Sequence, residues 1–358
     1  MRTHGSELVP EYRPPFPEGE RLGIGILGCG AIAQEAHLPA YASFDLDVVG
    51  VWSRTAATTA TVPERFPFVG RVYATAEELL ADPRVQVVDI ATRPEQRLQW
   101  LAAAVSAGKH VLGQKPLTTD LVSLATVLAD AERRGVRVAV NQNGRWAPAW
   151  RLATLLVAAG AIGEVVGVTH LHDKPLPPIA GTRFDEMDHM LVTDYLMHWI
   201  DITRCWLAGK QVEAVHAHEH RTPGQAPTAN NPWAATIQIH CCDGADALLR
   251  VVGDVSTRRP TCPFWIHGAE GTVRGSVLGG SDFVELERRG VSTRYALEGE
   301  WFVDGFAGAM GELMCAVVEG REPYHSAAHN VASLRLMLAG RDSVERGGAA
   351  VSLDALQL

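Results

Sequence analysis

The 358-residue sequence lacks the features that would assign it to a membrane-spanning, secreted or nucleic-acid-binding class. No stretch of about 18 uninterrupted apolar residues is present, so we expect no transmembrane helix. Residues 1–20 hold four prolines and no apolar signal core, which predicts a flexible tail and a cytoplasmic protein. The formal net charge is −9 and no basic run occurs, so neither nucleic acid nor a membrane is an expected partner.

Paired cysteines and metal-ligand motifs are also missing. None of the six cysteines shows C-x-x-C spacing, which favours free thiols in a reducing compartment. The stretch from His170 to Asp201 is rich in histidine and aspartate, but it repeats no known metal-ligand spacing. We therefore expect no bound metal, and metal-dependent chemistry in this stretch remains an alternative.

Strand-like and helix-like segments alternate in the first part of the chain. The predicted strands are Gly23–Leu27, Asp47–Trp52, Val85–Ala91, His110–Leu112 and Val136–Val140. Thr75 is a predicted helix N-cap, because Glu78 three residues later completes a capping box. This alternation predicts an α/β fold, with a Rossmann dinucleotide-binding domain over 21–142.

The pattern changes after Asn143, where one helix is followed by seven strand-like runs separated by turn signals such as Gly279-Gly280. Many strands in series predict an α+β domain over 143–358 with a large, mostly antiparallel open sheet. We expect one long helix over Phe184–Leu207 within this series, and two helices, Asp304–Glu319 and Ala327–Arg346, near the end of the chain. The alternative for these last helices is that they pack back onto the first domain.

The first strand-like run ends in a Gly-x-Gly-x-x-Ala turn that precedes a helix. Gly28 allows a tight turn, Gly30 lets the backbone approach a pyrophosphate, and Ala33 permits close packing of helix and strand. Ala31 and Ile32 begin the helix, whose free N–H groups favour phosphate binding. The turn therefore predicts a dinucleotide site, with an ordinary tight turn as the alternative.

No carboxylate follows the second strand, where an NAD-binding fold places the acidic residue that holds the ribose 2′-hydroxyl. Ser53 and Arg54 stand there instead, and they can hydrogen-bond and pair with a 2′-phosphate. This favours NADP(H) over NAD(H), unless Arg54 is only a solvated loop charge. Arg65 and Arg71 are less well placed for this role.

Two further features are candidates for the chemistry. Lys115 follows the strand-like run His110–Leu112, at the sheet edge where open α/β sheets bind ligands. Asp194 and His198 are four residues apart and share one face of a predicted helix that is otherwise apolar. Such a pair can act in proton transfer, although Lys115 could be a surface charge and His198 a satisfied core histidine.

These features occur in an order that resembles the glucose–fructose oxidoreductase / inositol dehydrogenase / MocA (Gfo/Idh/MocA) family, from about Arg21 to Val351. The short motifs that add to the resemblance are His37–Pro39, Ala107–Val111, Gly268–Thr272 and Glu319–Pro323. The resemblance implies a nicotinamide-dependent oxidoreductase that acts on a carbohydrate, cyclitol or related polyol. It also implies that Lys115, Asp194 and His198 are catalytic, and that dimers or tetramers form through the C-terminal sheet.

The sequence departs from the family pattern at several positions. The usual glutamate before Lys-Pro is Gln114, which keeps the hydrogen-bonding shape but removes the charge. The usual Pro-Asn and His are absent after the third strand, where Arg93 and Arg97 bring positive charge towards the nicotinamide end or face solvent. Arg145 and Trp146, in the segment that joins the domains, are candidates for substrate contact.

The prediction is therefore an NAD(P)-dependent enzyme that moves hydride between nicotinamide and a carbinol carbon. A glycosidase or epimerase that recycles tightly bound cofactor, and an inactive nucleotide-sensing regulator, are the alternatives. The predicted cofactor contacts are Gly28, Gly30, Ala31, Ile32, Ser53, Arg54, Thr92, Arg93, Gln114 and Lys115. The predicted substrate contacts are Lys115, Arg145, Trp146, Asp194 and His198.

Overall fold

The computed structural model describes residues 2–4, 7–177, 179–278, 280 and 282–355. Strands β1 (Arg2–His4) and β2 (Glu7–Val9) pair antiparallel near the start of the chain. The chain forms two compact units. The parallel-sheet unit contains residues 13–146 and 299–331, and the large-sheet unit contains 147–298 with the described residues of 2–12 and 332–355.

A five-stranded parallel sheet is the centre of the parallel-sheet unit. Its strands are β3 (Ile24–Leu27), β4 (Val48–Trp52), β5 (Val87–Ile90), β6 (His110–Gln114) and β7 (Val138–Asn141). They lie in the order β4-β3-β5-β6-β7, and every neighbouring pair is parallel. This is the Rossmann sheet expected from the alternating pattern of the sequence.

Helices cover this sheet. They are α1 (Leu38–Ser43), α2 (Val62–Arg65), α3 (Ala76–Ala81), α4 (Pro94–Ser106), α5 (Leu121–Arg133) and α8 (Phe306–Val318). The predicted cap of α3 is confirmed, because the Thr75 hydroxyl accepts a hydrogen bond of 3.1 Å from the Glu78 amide. A π-helical turn, Ala33–His37, precedes α1 and was not expected from the sequence.

The contacts place α8 in the parallel-sheet unit, whereas the predicted ranges put residues 299–331 in the second domain. The physical reason is the apolar surface of this helix. Phe306, Met310 and Leu313 are buried in the same core as Ile24 and Tyr41. A π-helical turn, Trp301–Gly305, precedes α8.

An eight-stranded sheet defines the large-sheet unit. Its strands are β8 (Val165–His172), β9 (Val212–His220), β10 (Ala234–Cys241), β11 (Asp246–Val252), β12 (Pro263–Gly268), β13 (Gly271–Ser276), β14 (Phe283–Arg288) and β15 (Val291–Tyr295). The order is β15-β14-β13-β12-β8-β11-β10-β9. Only β8 and β11 are parallel neighbours in it, so the predicted large, mostly antiparallel sheet is confirmed.

The helices of this unit are α6 (Pro148–Ala158), α7 (Met197–Trp206) and most of α9 (Ala327–Glu345). The continuous helix expected over Phe184–Leu207 is wrong. Residues 184–189 form turns, and Leu191–Tyr195 is a π-helical turn before α7. Of the predicted turn Gly279-Gly280, the first residue lies outside the described residues.

One helical segment of the described chain, Trp301–Val318, is long and apolar enough to span a membrane by composition. Asp304 and Glu312 interrupt its apolar run, and 72% of the segment is buried. A buried core helix of a soluble protein passes the same test, so the composition alone is weak evidence for a membrane span.

Candidate active site

The glycine turn lies at the carboxyl edge of the parallel sheet, beside the point where the strand order reverses. The chain passes from β3 to β4 on one side, while β5 flanks β3 on the other, and open α/β sheets bind ligands at such a point. Gly28 adopts a φ of +91°, which only glycine tolerates readily, and its amide donates to the Trp52 carbonyl at 2.8 Å. The turn therefore joins the ends of β3 and β4.

Two observations show that this edge suits a nucleotide. A Cβ added to Gly30 would meet no atom within 4 Å, so the backbone is open on that side. The hydroxyl of Thr92, which follows β5, is buried and has no hydrogen-bond partner among the described residues. An open glycine backbone and an unsatisfied hydroxyl at the same sheet edge can receive a phosphate and sugar group.

The end of β4 carries the residues expected to distinguish the two nicotinamide cofactors. Ser53 is half-buried and Arg54 is exposed. A second cation, Arg65 of α2, is nearby, because its guanidinium donates to Gln34, whose amide donates to the Cys29 carbonyl at 2.9 Å. The sequence predicts that Arg65 is less well placed for this role, and only the fold of the chain brings it near the glycine turn.

Gln114 and Lys115 lie at the end of β6, on the same edge. The Gln114 side chain is buried, and its Oε1 accepts a hydrogen bond of 2.9 Å from the Lys115 amide. The Lys115–Pro116 peptide bond is cis. Gln114 therefore holds the backbone of Lys115. Four predicted cofactor residues follow strands that end at this edge of the sheet, namely Gly28, Ser53, Thr92 and Lys115.

Arg93 and Arg97 differ in their environments. Arg93 is the exposed N-cap residue of α4, which agrees with the solvent-facing interpretation. Arg97 is only 6% exposed, and it donates to the carbonyls of Thr92 and Pro116. The suggestion that Arg97 faces solvent is therefore wrong, because its guanidinium is used inside the unit.

The burial of Arg145 and Trp146 favours a structural role for both, and their predicted contact with substrate stays a prediction. Arg145 donates to the Tyr324 carbonyl at 2.6 Å. Trp146 is 1% exposed, and its ring packs edge-on against His325 with centroids 4.6 Å apart. Both residues hold the turn after β7 against residues 324–325 of the same unit.

The predicted proton-transfer residues lie in one helical segment of the large-sheet unit. Asp194 is buried in the π-helical turn Leu191–Tyr195, and His198 is half-buried at the second position of α7. Asp201, on the same predicted face, accepts a hydrogen bond of 2.6 Å from the Ser333 hydroxyl. Asp201 is therefore engaged in packing α7 against α9.

A polar network that the sequence interpretation missed holds the start of this segment. Asp185 is fully buried and accepts from the amides of Asn230 and Asn231 at 2.8 and 2.9 Å. Although burial opposes ionisation, these amide donors hold the pKa of Asp185 below its usual value. Asn231 Oδ1 in turn accepts from the Met190 amide at 3.2 Å, directly before the π-helical turn. No local motif marks this network, because each of these three hydrogen bonds joins residues that are more than 40 positions apart in the sequence.

Among the described residues, no group of three or more His, Cys, Asp or Glu side chains is arranged to hold a metal ion. The structure therefore offers nothing in its described part to favour the metal-dependent alternative. None of the six cysteines forms a disulfide, and Cys29, beside Gly28, is fully buried.

Comparisons with known proteins identify the family. A model described as an oxidoreductase family with an NAD-binding Rossmann fold matches residues 22–142, and the GFO/IDH/MocA C-terminal domain matches residues 150–274. A 1,5-anhydro-D-fructose reductase from Ensifer adhaerens is 31% identical over 254 residues, which are 70% of this chain and 74% of that protein. The chain belongs to the GFO/IDH/MocA family and is an oxidoreductase, as the sequence predicted.

Two further proteins extend the comparison. An inositol 2-dehydrogenase from Gluconacetobacter diazotrophicus is 27% identical over 250 residues, which are 65% of this chain and 72% of that protein. An oxidoreductase from Agrobacterium radiobacter, solved in complex with NAD+, L-tartaric acid and magnesium, superposes with a TM-score of 0.81. That match covers 94% of this chain and all of that chain at 20% identity, which shows a shared fold.

Proposed function

We propose that this protein is an NAD(P)-dependent dehydrogenase or reductase that acts on a CH–OH group of a sugar, cyclitol or related polyol. The observation that carries the proposal is the glycine turn at the reversal of strand order, with an open flank at Gly30 and an unsatisfied Thr92 hydroxyl. The names of the relatives, an anhydrofructose reductase and an inositol dehydrogenase, support the substrate class.

The cofactor in this proposal is NADP(H) in preference to NAD(H). Ser53 and Arg54 follow β4 without a carboxylate, and Arg65 adds a second positive charge near the glycine turn. Positive side chains favour a 2′-phosphate, whereas a carboxylate would favour the 2′-hydroxyl of NAD. The nicotinamide, when bound, supplies the hydride acceptor for oxidation or the donor for reduction.

Side chains of the protein would transfer the hydroxyl proton and stabilise the negative charge that develops on the substrate oxygen. His198 accepts the hydroxyl proton during oxidation and returns it during reduction, while Asp194 orients the imidazole or a neighbouring substrate hydroxyl. Lys115 hydrogen-bonds the reacting oxygen and stabilises its negative charge. Replacing His198 by Asn or Lys115 by Met should lower kcat by roughly 10²–10⁴-fold.

Nucleotide titration tests the cofactor part of the proposal. Purified protein, first shown to carry no nicotinamide, is titrated with NADPH and NADH while nicotinamide and tryptophan fluorescence are followed. We expect tighter binding of NADPH, and we expect Arg54→Gln to weaken NADPH much more than NADH. The matched control is Arg133→Gln, at an exposed arginine of α5. Binding of neither nucleotide would overturn the proposed function.

A glycine substitution separates binding from folding. Gly30→Ala adds a methyl group where the structure leaves open space, so the fold should be retained and nucleotide binding lost. Circular dichroism checks the fold. A panel that includes myo-inositol and 1,5-anhydro-D-fructose then tests turnover in both directions with the preferred cofactor.

We also propose that the protein forms homodimers or homotetramers through the outward face of the eight-stranded sheet. Trp265 and Leu248 flank Thr169 across β12, β8 and β11, and all three side chains are partly exposed on that face. A contiguous apolar patch on the exposed face of a broad sheet marks a candidate subunit interface. Light scattering of wild type and Trp265→Glu tests the proposal, since the charged variant should shift the protein to monomers.

A further inference from the structure

Arg97 is a buried cation at the sheet edge where the cofactor residues meet. It is the fourth residue of α4, and it is 6% exposed. Arginine remains protonated in proteins, and a buried charge is tolerated only when hydrogen bonds compensate for the water that it loses. The atoms that provide this compensation therefore indicate what the side chain does.

Its guanidinium reaches two loops that follow neighbouring strands. Nε donates to the Thr92 carbonyl at 2.9 Å, and a terminal nitrogen donates to the Pro116 carbonyl. Thr92 follows β5 and Pro116 follows β6, so one rigid planar group spans the ends of two strands. A planar guanidinium with several donors fixes two acceptors at a set separation, which a single ammonium group cannot do.

The contact continues from Thr92 to the glycine turn. A Cβ added to Gly28 would lie 2.8 Å from the Thr92 methyl carbon and 2.9 Å from the Thr92 amide nitrogen. The Thr92 segment is thus in close contact with the turn after β3 on one side and hydrogen-bonded to Arg97 on the other. A displacement of Thr92 would therefore also displace the glycine turn, which is expected to bind the pyrophosphate.

We propose that Arg97 is a positioning residue that couples the nucleotide-binding edge to the loop after β6, which contains Lys115 and Pro116. It holds the Thr92 loop and the cis Lys115–Pro116 segment at a fixed spacing, and through them it aligns Gly28 with Lys115. The consequence for turnover rests on the proposed function, whereas the coupling of the loops does not.

Hydrogen exchange tests the coupling without any cofactor or substrate. Arg97→Lys keeps the charge but loses the planar fork, so amides over 91–93 and 113–118 should exchange about tenfold faster than in wild type. Arg97→Gln should do the same if the lysine variant fails to fold. The matched control is Arg133→Lys on the exposed face of α5, which should leave both segments unchanged. If a folded Arg97 variant showed wild-type amide exchange rates in both loops, the proposal would be overturned.

Kinetics provide a readout that a purely structural role would not change. If Arg97 positions Lys115, Arg97→Lys should lower kcat about 10²-fold, because small misplacements of a catalytic group are costly, and leave the sugar KM within about twofold. Added guanidinium, below denaturing concentrations, should partly restore kcat in Arg97→Ala, and ethylammonium should not. An unchanged kcat would overturn the positioning role. An inactive wild type would instead refute the proposed function, and the exchange experiment would still decide the coupling.

Discussion

Acid should destabilise the large-sheet unit, because β8 buries two histidines that the fold keeps neutral. His170 is 1% exposed; its ring stacks on Trp206 with centroids 5.3 Å apart and packs edge-on against Trp150. His172 is 4% exposed, and its Nε2 is hydrogen-bonded to the Tyr195 hydroxyl at 2.7 Å. Burial lowers the pKa of His170 to about 3 and that of His172 to about 4.

The sign and size of the effect follow from proton linkage. In the unfolded chain both imidazoles have an ordinary pKa near ~6.5, so the unfolded state binds more protons than the folded state below that pH. The stability contribution is complete above about pH 6.5 and is lost as the pH falls towards the folded-state pKa values. Between pH 8 and pH 5 each histidine should remove about 2 kcal/mol from the free energy of unfolding.

Urea unfolding at pH 8 and pH 5, followed by tryptophan fluorescence, measures this loss. His170→Phe retains an aromatic ring beside Trp206 but cannot bind a proton, so the decrease between the two pH values should shrink by about 2 kcal/mol. His172→Gln should shrink it similarly. His218→Gln, at an exposed histidine of β9, is the control for removing a histidine. Equal decreases for wild type and both variants of β8 would refute the reasoning.

Three other predictions follow from the burial of one cysteine and from two single hydrogen bonds. Burial raises the pKa of Cys29 to about 11, so maleimide at pH 8 should label exposed Cys242 and spare Cys29 until denaturant is added, as mass spectrometry of the peptides would show. Ser333→Ala removes the 2.6 Å hydrogen bond to Asp201 and should lower the free energy of unfolding by about 1–3 kcal/mol in urea titrations. Thr75→Ala removes the cap of α3 and should lower it by about 1 kcal/mol, whereas Thr75→Ser should be nearly neutral.

Local signals in the sequence predicted much of the fold. Strands β8 and β10 belong to the series of strand-like runs predicted after Asn143, because a mainly alternating burial pattern and flanking turns mark each of them. The cap at Thr75 and the turn at Gly28 were also predicted, since a capping box and a glycine turn are encoded within a few residues. β15 was missed, because its exposed residues show no apolar alternation.

The π-helical turns could not be predicted, because contacts from distant strands hold them. His37, in the turn before α1, is hydrogen-bonded to Asp89 of β5 at 2.6 Å, and both side chains are fully buried. Tyr195, in the turn before α7, is hydrogen-bonded to His172 of β8 and stacks on Trp199. A helical period of 3.6 residues contains no sign of either inserted residue.

The sequence predicted the residue types of the candidate site, but not the contacts that hold those residues in place. Spacing put Lys115 directly after a strand and His198 in a helix, as the structure has them, whereas Asp194 lies in a π-helical turn instead of the predicted continuous helix. Spacing could not show that Arg97 hydrogen-bonds to two loops, or that Asp185 accepts hydrogen bonds from the amides of residues 230 and 231. These partners become neighbours only when the chain folds. The roles of Lys115, Asp194 and His198 in turnover remain predictions.

The return of α8 to the parallel-sheet unit has a consequence for dissecting the protein. The chain passes from one unit to the other at residues 12–13, 146–147, 298–299 and 331–332, so no single cut yields two complete pieces. A fragment that stops at Trp146 would lack Phe306, Met310 and Leu313, and it would expose to water the apolar surface that they cover. An independently expressed nucleotide module would need residues 299–331 joined to it by a new connection.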